Sequence, residues 1–356
     1  MHINQHDIVY YIGAGASINA VPLVSKMDRG ISNAINQLIP KKALISFNPP
    51  QFQKDGFTIE SAFDELIHTW KWLSLNANPE LHTSIDTFAK KLIITRARKD
   101  YIRLKAGLIT FFDFIQRANP PDIRYDSFIA SLIHISNKDL PKNIKIITWN
   151  YDMQLEIAYS QYLSTPNLID VQNRLNMVPS NINDSSTEIM DGFCYIKLNG
   201  SAGFLNKDTV GPSYIQNSLK PYIPVSGQNK ANDKIDSQYI ASLVTTYKYL
   251  INEQIQPILN FSWDSQNFYP NPVDIAKRKV KNARVLIVIG YSLPFFNREI
   301  DRAIINKMSH LEKIYFQVPE NFSNSIMHRF KAISPKLIHI CEVYNDVSQF
   351  LLPPEL

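Results

Sequence analysis

Six short runs in the chain are almost wholly β-branched, aromatic or aliphatic: IVYYI (8–12), IKIIT (144–148), FCYIKL (193–198), RVLIVI (284–289), KIYFQV (313–318) and LIHIC (337–341). Turn-forming residues follow or precede them, so each predicts a buried strand. Between them, apolar residues recur at helical spacing over 18–38, 237–260, 297–308 and 321–332, with a last short helix from Asp346. Apolar strands alternating with amphipathic helices predict an α/β fold, a Rossmann-like doubly wound parallel sheet covered on both faces.

The rhythm changes between 58 and 136. Phe63, Leu66, Ile67 and Trp70, then Leu104, Leu108, Phe111, Phe112 and Ile115, recur at helical spacing, and no convincing strand intervenes. Pro40 to Pro50 on one side and Asn119-Pro120-Pro121 on the other bracket this stretch. Residues 40–140 are therefore expected to form a helical insertion module, and 1–39 with 141–356 the sheet domain. Stretches rich in Asn, Ser, Asp and Pro at 164–191 and 205–236 read as long surface loops.

With 356 residues, 45% of them hydrophobic, the chain can bury one large core or two ordinary ones. Cys194 and Cys341 are its only cysteines, too few for a four-cysteine zinc site or a disulfide framework, so no metal is expected. The opening MHINQHDIVYYIGAGAS lacks the basic-then-apolar order of a secretory leader, and no run approaches the ~18 apolar residues that cross a bilayer. A soluble, cytoplasmic protein without a membrane segment is the expectation. The net charge of +5 is unevenly placed: 90–105 holds seven Lys or Arg against Asp100 alone, 277–284 holds five with no acid, and the remainder has 25 basic against 31 acidic residues. A solvated helix face is the plainest explanation of such segments. A nucleic-acid or acidic-partner surface is the competing one.

Ligands of open α/β sheets bind beyond the carboxyl ends of the strands. Four such ends are unusual here: Gly13-Ala14-Gly15-Ala16-Ser17, Thr148-Trp149-Asn150-Tyr151-Asp152, Asn199-Gly200-Ser201 and Gly290-Tyr291-Ser292-Leu293. The first is a glycine-rich turn opening a helix, where backbone N–H groups can approach a phosphate. It lacks the third glycine of a dinucleotide fingerprint, since residue 18 is isoleucine, and no second strand ending in an acid follows, which argues against an ordinary hydride-transfer dehydrogenase. Each end also has a plainer reading, a tight turn for the glycines and an N-cap for Asp152.

The ordered set GAGAS, TWNYD, KLNGS and IGYSL resembles the Sir2 superfamily, and looks most like its bacterial branch that hydrolyses NAD⁺ in antiphage defence, often beside a partner protein. The resemblance covers 9–17, 146–152, 195–201 and 286–294, and is weaker at Ser84-Ile85-Asp86. It implies NAD as substrate, with Gly13, Ala14, Gly15 and Ser17 cradling the pyrophosphate and Pro22 near the loop over the nicotinamide. Asn150 would hold the ribose and the reacting water, and Asp152 the carboxamide. Thr148, Gly200, Ser201, Gly290 and Ser292 would line the nucleotide, the last two on the adenosine side. Residue 149 is tryptophan where deacetylating sirtuins carry glutamine, so that ribose hydrogen bond does not carry over.

Family members carry histidine where this chain has Asn199. Cleavage of the nicotinamide bond passes through an oxocarbenium-like state, with the histidine as general base. An amide has no pKa near neutrality and can only position by hydrogen bonding. His2 and His6 lie at the amino end of the first strand, and His68, His82, His134, His310, His328 and His339 have no motif beside them. Three explanations stay open: an impaired enzyme, a mechanism resting on Asn150 and Asp152, or a deliberate replacement that traps nucleotide.

Deacetylating sirtuins also carry a cysteine-held zinc module that two cysteines cannot build, which favours NAD⁺ hydrolysis over deacylation. The expected function is an NAD-depleting effector of abortive infection. Its partners are expected to be NAD⁺ and a second copy or a defence protein such as an ATPase, an Argonaute-like protein or a nucleotide sensor. Nucleic acid would be reached only through that partner or the basic segments. A non-catalytic NAD or ADP-ribose sensor is the alternative.

Overall fold

A computed structural model describes residues 7–45, 56–163, 165, 167–179, 192–206, 212–213, 235–264 and 271–356. The chain divides into two compact units, one of Met1–Ser17, Asp122–Gly200 and Asn260–Leu356, the other of Ile18–Pro121 and Ser201–Leu259. The expected insertion at 40–140 thus falls mostly in a unit that begins earlier, at Ile18, and takes in 201–259, while 122–140 goes with the sheet.

The first unit holds β1 (Asp7–Ile12), α5 (Ile123–Leu132), β2 (Ile144–Thr148), α6 (Gln154–Leu163), α7 (Leu168–Arg174), β3 (Met177–Val178), β4 (Cys194–Lys197), α9 (Pro272–Lys279), β8 (Ala283–Ile289), α10 (Arg298–Ile305), β9 (Lys313–Gln317), α11 (Ser323–Ile333) and β10 (Cys341–Tyr344). Its strands form one seven-stranded sheet in the order β10-β9-β8-β1-β2-β4-β3, every pair parallel. The expected α/β fold with a parallel sheet is what the chain adopts. From β1 the order runs out to β2, β4 and β3 on one side and to β8, β9 and β10 on the other, so the strand order reverses between β1 and β8. In open α/β sheets, ligands bind at the carboxyl ends of such a pair.

Burial explains why these runs are strands. Ile8 through Ile12 are at most 2% exposed, as are the apolar residues of β2, and the central strands bury both faces as a parallel sheet requires. The core includes Val9, Tyr11, Ile147, Ile196, Leu286, Val288, Ile314 and Phe316, closed by Ile304 and Ile305 of α10 and Phe330 of α11.

The second unit contains α1 (Met27–Leu38), α2 (Ile59–Asn76), α3 (Ile85–Ile94), α4 (Arg98–Ala118) and α8 (Ser237–Ile251), with a small sheet of β5 (Gly200–Asn206), β6 (Pro212–Ser213) and β7 (Ile255–Leu259) in the order β6-β5-β7. Thr58, Ser84 and Asp236 cap α2, α3 and α8 with their side chains. Pro22 packs on Gly30 of α1: a Cβ on that glycine would lie 2.6 Å from the proline ring.

Five expectations shift. The helix expected from Ile18 starts only at Met27, after a 3-10 turn at Ala14–Ser17 and a break at Pro22. The helix expected over 237–260 ends at Ile251, and Ile255–Leu259 is a strand. Of LIHIC, residues 337–340 lie in a 3-10 turn opened by Pro335, and the strand begins only at Cys341 as CEVY, with the half-buried alternation of an edge. No helix follows Asp346. The loop expected over 164–191 instead carries α7 and β3, with Leu168, Val171, Met177 and Val178 buried, while 180–191 and most of 205–236 lie outside the described residues.

Candidate functional site

Two glycine turns interlock where the strand order reverses. The Gly13 amide donates to Ile289 O at 3.0 Å and the Gly15 amide to Gly290 O at 2.8 Å. A Cβ on Gly13 would sit 2.6 Å from Tyr291 Cα, and one on Gly15 2.8 Å from Gly290 Cα. Gly290, at φ +59°, would set its Cβ 2.3 Å from the Ala16 nitrogen. Only glycine admits this contact. The turn's amides at 13, 15 and 16 are therefore used inside the protein, leaving exposed Ala14 as its outward member. Arg124 of α5 reaches the turn's carbonyls, donating to Gly15 O at 3.2 Å and Ala16 O at 3.0 Å while paired with Asp122 at 2.7 Å.

The turn after β2 meets this one through Asn150. Its side-chain amide donates to Gly13 O at 3.2 Å and to Ser17 Oγ at 3.3 Å, and its own N–H is held by Thr148 Oγ1 at 3.0 Å. The Ser17 hydroxyl also lies 3.1 Å from the Tyr125 hydroxyl and hydrogen-bonds Asp152, so it is saturated within the protein. Asp152 Oδ1 accepts from the Gln154 amide at 3.2 Å, the capping role at the start of α6. Burial raises the Asp152 carboxyl above the usual range, while the Lys197 charge, the Gln154 amide and Ser17 pull it down.

Lys197, wholly buried at the end of β4, pairs with equally buried Glu156 at 3.1 Å and donates to the Asp152 carbonyl. Burial raises Glu156 as well, and its Oε2 has no partner among the described residues. Two carboxylates thus share one ammonium.

Asn199 follows, 5% exposed. Its amide nitrogen lies 3.4 Å from the Tyr151 hydroxyl, its backbone carbonyl accepts from Asn260 N at 2.9 Å, and its Oδ1 is buried with no hydrogen-bond partner among the described residues. Gly200 turns the chain at φ +69°.

Trp149 points away from Asn150 into the core. Its Nε1 donates to Asp301 Oδ1 at 3.1 Å and to the Tyr11 hydroxyl at 3.3 Å, and its ring stacks on Tyr291. Asp301 also accepts from Tyr11 and Tyr291. Burial pushes its carboxyl up to about 7 against these three donors, which lower it.

The structure therefore brings together Gly13, Ala14, Gly15, Ser17, Thr148, Asn150, Asp152, Asn199, Gly200 and Gly290 at one end of one sheet. Ser292 is exposed beside them, its carbonyl accepting from Arg329 at 2.7 Å. Pro22 and Ser201 belong to the second unit, Pro22 against α1 and Ser201 buried at the start of β5. In the sheet unit His134, His310, His328 and His339 are all exposed, and none has a hydrogen bond to Asn150, Asp152 or Asn199. His2 and His6 lie outside the described residues. A cleft of about 450 Å³ lined by Ser131, His134, Asp139 and Lys142 opens at the amino end of β2, away from these loops.

Sequence reasoning missed Arg124, Tyr125, Glu156, Lys197 and Asp301. Lys197 carried a signal, a lysine inside an otherwise apolar strand; the others had none. In the second unit, Arg98 pairs with Glu253 and Arg103 reaches Thr69 and the His68 carbonyl, so two of the cations behind the nucleic-acid reading have local work. No helix among the described residues is long and apolar enough to cross a membrane. Cys194 in β4 and Cys341 in β10 are free thiols at separated positions in the sheet order.

Fold and loops together define an open parallel α/β protein with polar side chains gathered at its switch point. No family model and no curated protein matches the chain. Among solved structures it is similar to a Sir2 homologue in complex with NAD, at 15% identity over 92% of this chain and 90% of that one, with a TM-score of 0.35. It is also similar to a mutant Sir2 homologue in complex with ADP-ribose, at 15% identity over 93% and 94%, TM-score 0.35. A Sir2 bound to a peptide and NAD⁺ follows at 12% identity over 96% and 88%, TM-score 0.33.

Proposed function

We propose that the chain binds NAD⁺ at the carboxyl ends of β1, β2, β4 and β8, as a Sir2-like NAD⁺ hydrolase that yields nicotinamide and ADP-ribose. The observation that carries this reading is the buried Asn199 Oδ1, which has no hydrogen-bond partner among the described residues. Buried acceptors in native proteins are nearly always satisfied, so this one calls for a donor that arrives with a ligand, such as a ribose hydroxyl. Exposed Ala14 heads the turn toward the pyrophosphate, while the two glycines let the β8 loop close behind it. Asn150, held on both sides, orients the ribose and the water that captures the ribosyl cation.

In hydrolysis, water adds to the anomeric carbon, the bond to nicotinamide breaks, and one proton must leave the water. Asn199 cannot take it, so this chain holds nucleotide and turns it over slowly, and Asn199→His restores the base. The cellular role that fits this chemistry is NAD depletion in antiphage defence, held off by assembly and released by a partner. The amide at 199 equally fits a subunit that senses NAD or ADP-ribose without cleaving it. Incubation with NAD⁺, following nicotinamide by chromatography, decides between them. Release by N199H and its loss in a further N150A change support the hydrolase. Tight binding with no release by N199H supports the sensor, and neither binding nor release from any oligomeric state or with any candidate partner contradicts both.

A further inference from the structure

The loops after β1, β2 and β8 come from distant parts of the sequence, and one carboxylate from a fourth element joins them. Asp301 of α10 is 0% exposed. Tyr11 donates to its Oδ1 at 2.6 Å, Trp149 Nε1 to the same oxygen at 3.1 Å, and Tyr291 to its Oδ2 at 2.8 Å. Asn297 in turn donates to the Tyr291 hydroxyl at 3.0 Å. The Trp149 and Tyr291 rings stack, centroids 6.3 Å apart and planes 14° from parallel. No cationic side chain among the described residues bears on Asp301.

A carboxylate sealed from water without a counter-ion is a heavy burden on stability, and α10 could bury an apolar residue at this place instead. What the carboxylate supplies is two oxygens for three donors in a fixed fork, which an apolar side chain cannot. The connections lead to Asn150 from two directions. Trp149 is its backbone neighbour. Tyr291 lies against Gly13, whose carbonyl accepts the Asn150 amide.

We propose that Asp301 is a positioning residue of the crevice: through Trp149 and through Tyr291 it fixes Asn150 from both sides, and tryptophan stands at 149 to make this bond and not to touch nucleotide. The locking of the loops stands on the geometry alone, while its bearing on ligand rests on the nucleotide reading above.

Hydrogen exchange and ADP-ribose calorimetry on the full chain test both, with D301A, D301N and Y291F. D301A leaves the Tyr11 and Tyr291 hydroxyls without their acceptor and Trp149 Nε1 with the Tyr11 hydroxyl alone. It is expected to speed exchange at least tenfold in peptides covering 11–17, 147–153 and 288–297, and to weaken ADP-ribose at least tenfold, with α2 unchanged. D301N keeps an acceptor for Tyr11 and Trp149 and recovers most of both effects. Y291F keeps the ring stack but drops one tether, so it loosens 288–297 and spares 147–153; should D301A fail to fold, Y291F decides. Unchanged exchange in the variants overturns the proposal. So does faster exchange with unaltered ADP-ribose affinity, because the loops would then be held without serving the site. If the unaltered chain binds no ADP-ribose while exchange responds as expected, the locking stands and the nucleotide reading falls.

Discussion

Lys197 and Asp301 anchor two polar clusters at the carboxyl end of the same sheet, and both keep carboxylates from water. Around Lys197, Glu156 and Asp152 lean on a buried ammonium. Around Asp301 the described residues offer no cation, and two phenols and an indole donate to it instead. A buried pair broken on one side leaves an uncompensated charge, whereas a carboxylate held by neutral donors can meet burial by keeping its proton. The first cluster is thus expected to matter through charge balance and the second through geometry and pH.

The largest effect should come from Lys197→Met, which strands Glu156 and Asp152. It is expected to cost about 3–5 kcal/mol in denaturant unfolding, and K197M/E156Q should recover part of that. A loss under about 1 kcal/mol would mean that both acids are already neutral.

Asp301 should show in the pH dependence of stability. Burial pushes its carboxyl up to about 7 in the folded protein, well above the usual carboxylate range, so the folded state holds the proton longer. The protonated group burdens nothing below roughly pH 4, and stability is lost as pH rises toward about 7, by up to about 4 kcal/mol. The difference in unfolding free energy between the unaltered chain and D301N, measured from pH 4.5 to 7.5, should fall along that slope. A flat difference would place a counter-ion at Asp301 after all.

Gly290→Ala is expected to cost about 1–3 kcal/mol for the positive φ, with the clash on Ala16 added, and to loosen the junction of the two glycine turns. Smallest is Arg98→Ala, which opens an ion pair whose side chains are 77% and 53% exposed. A change within about 1 kcal/mol is expected, set against the same chemistry buried at Lys197.

The pattern of apolar runs made the sheet legible because its central strands are buried on both faces, and the unusual residues at their ends are gathered at one edge for the same reason. Edges were harder. Ile255–Leu259 contains a proline and extends a small sheet, and β10 has the mixed exposure of an outer strand, so neither shows an apolar run. The start of α1 was misplaced because apolar spacing continues through Pro22, where the backbone cannot stay helical. Asp301 was invisible for a different reason. It sits one turn before Ile305 on the inward side of an amphipathic helix, among Arg298, Glu299 and Arg302, where an acid reads as solvated. Arg124 and Tyr125 act across more than 100 residues of sequence, on Ala16 and Ser17, and no local pattern announces such contacts.

The central claim is the proposal that the loops after β1, β2 and β4 hold a dinucleotide with Asn150 and Asn199 at its reacting end. Calorimetric titration of the full chain with ADP-ribose, repeated on N150A, tests it most directly. Micromolar or tighter binding that weakens at least tenfold in N150A is the predicted result. No heat of binding by the unaltered chain, or equal affinity in N150A, would contradict it.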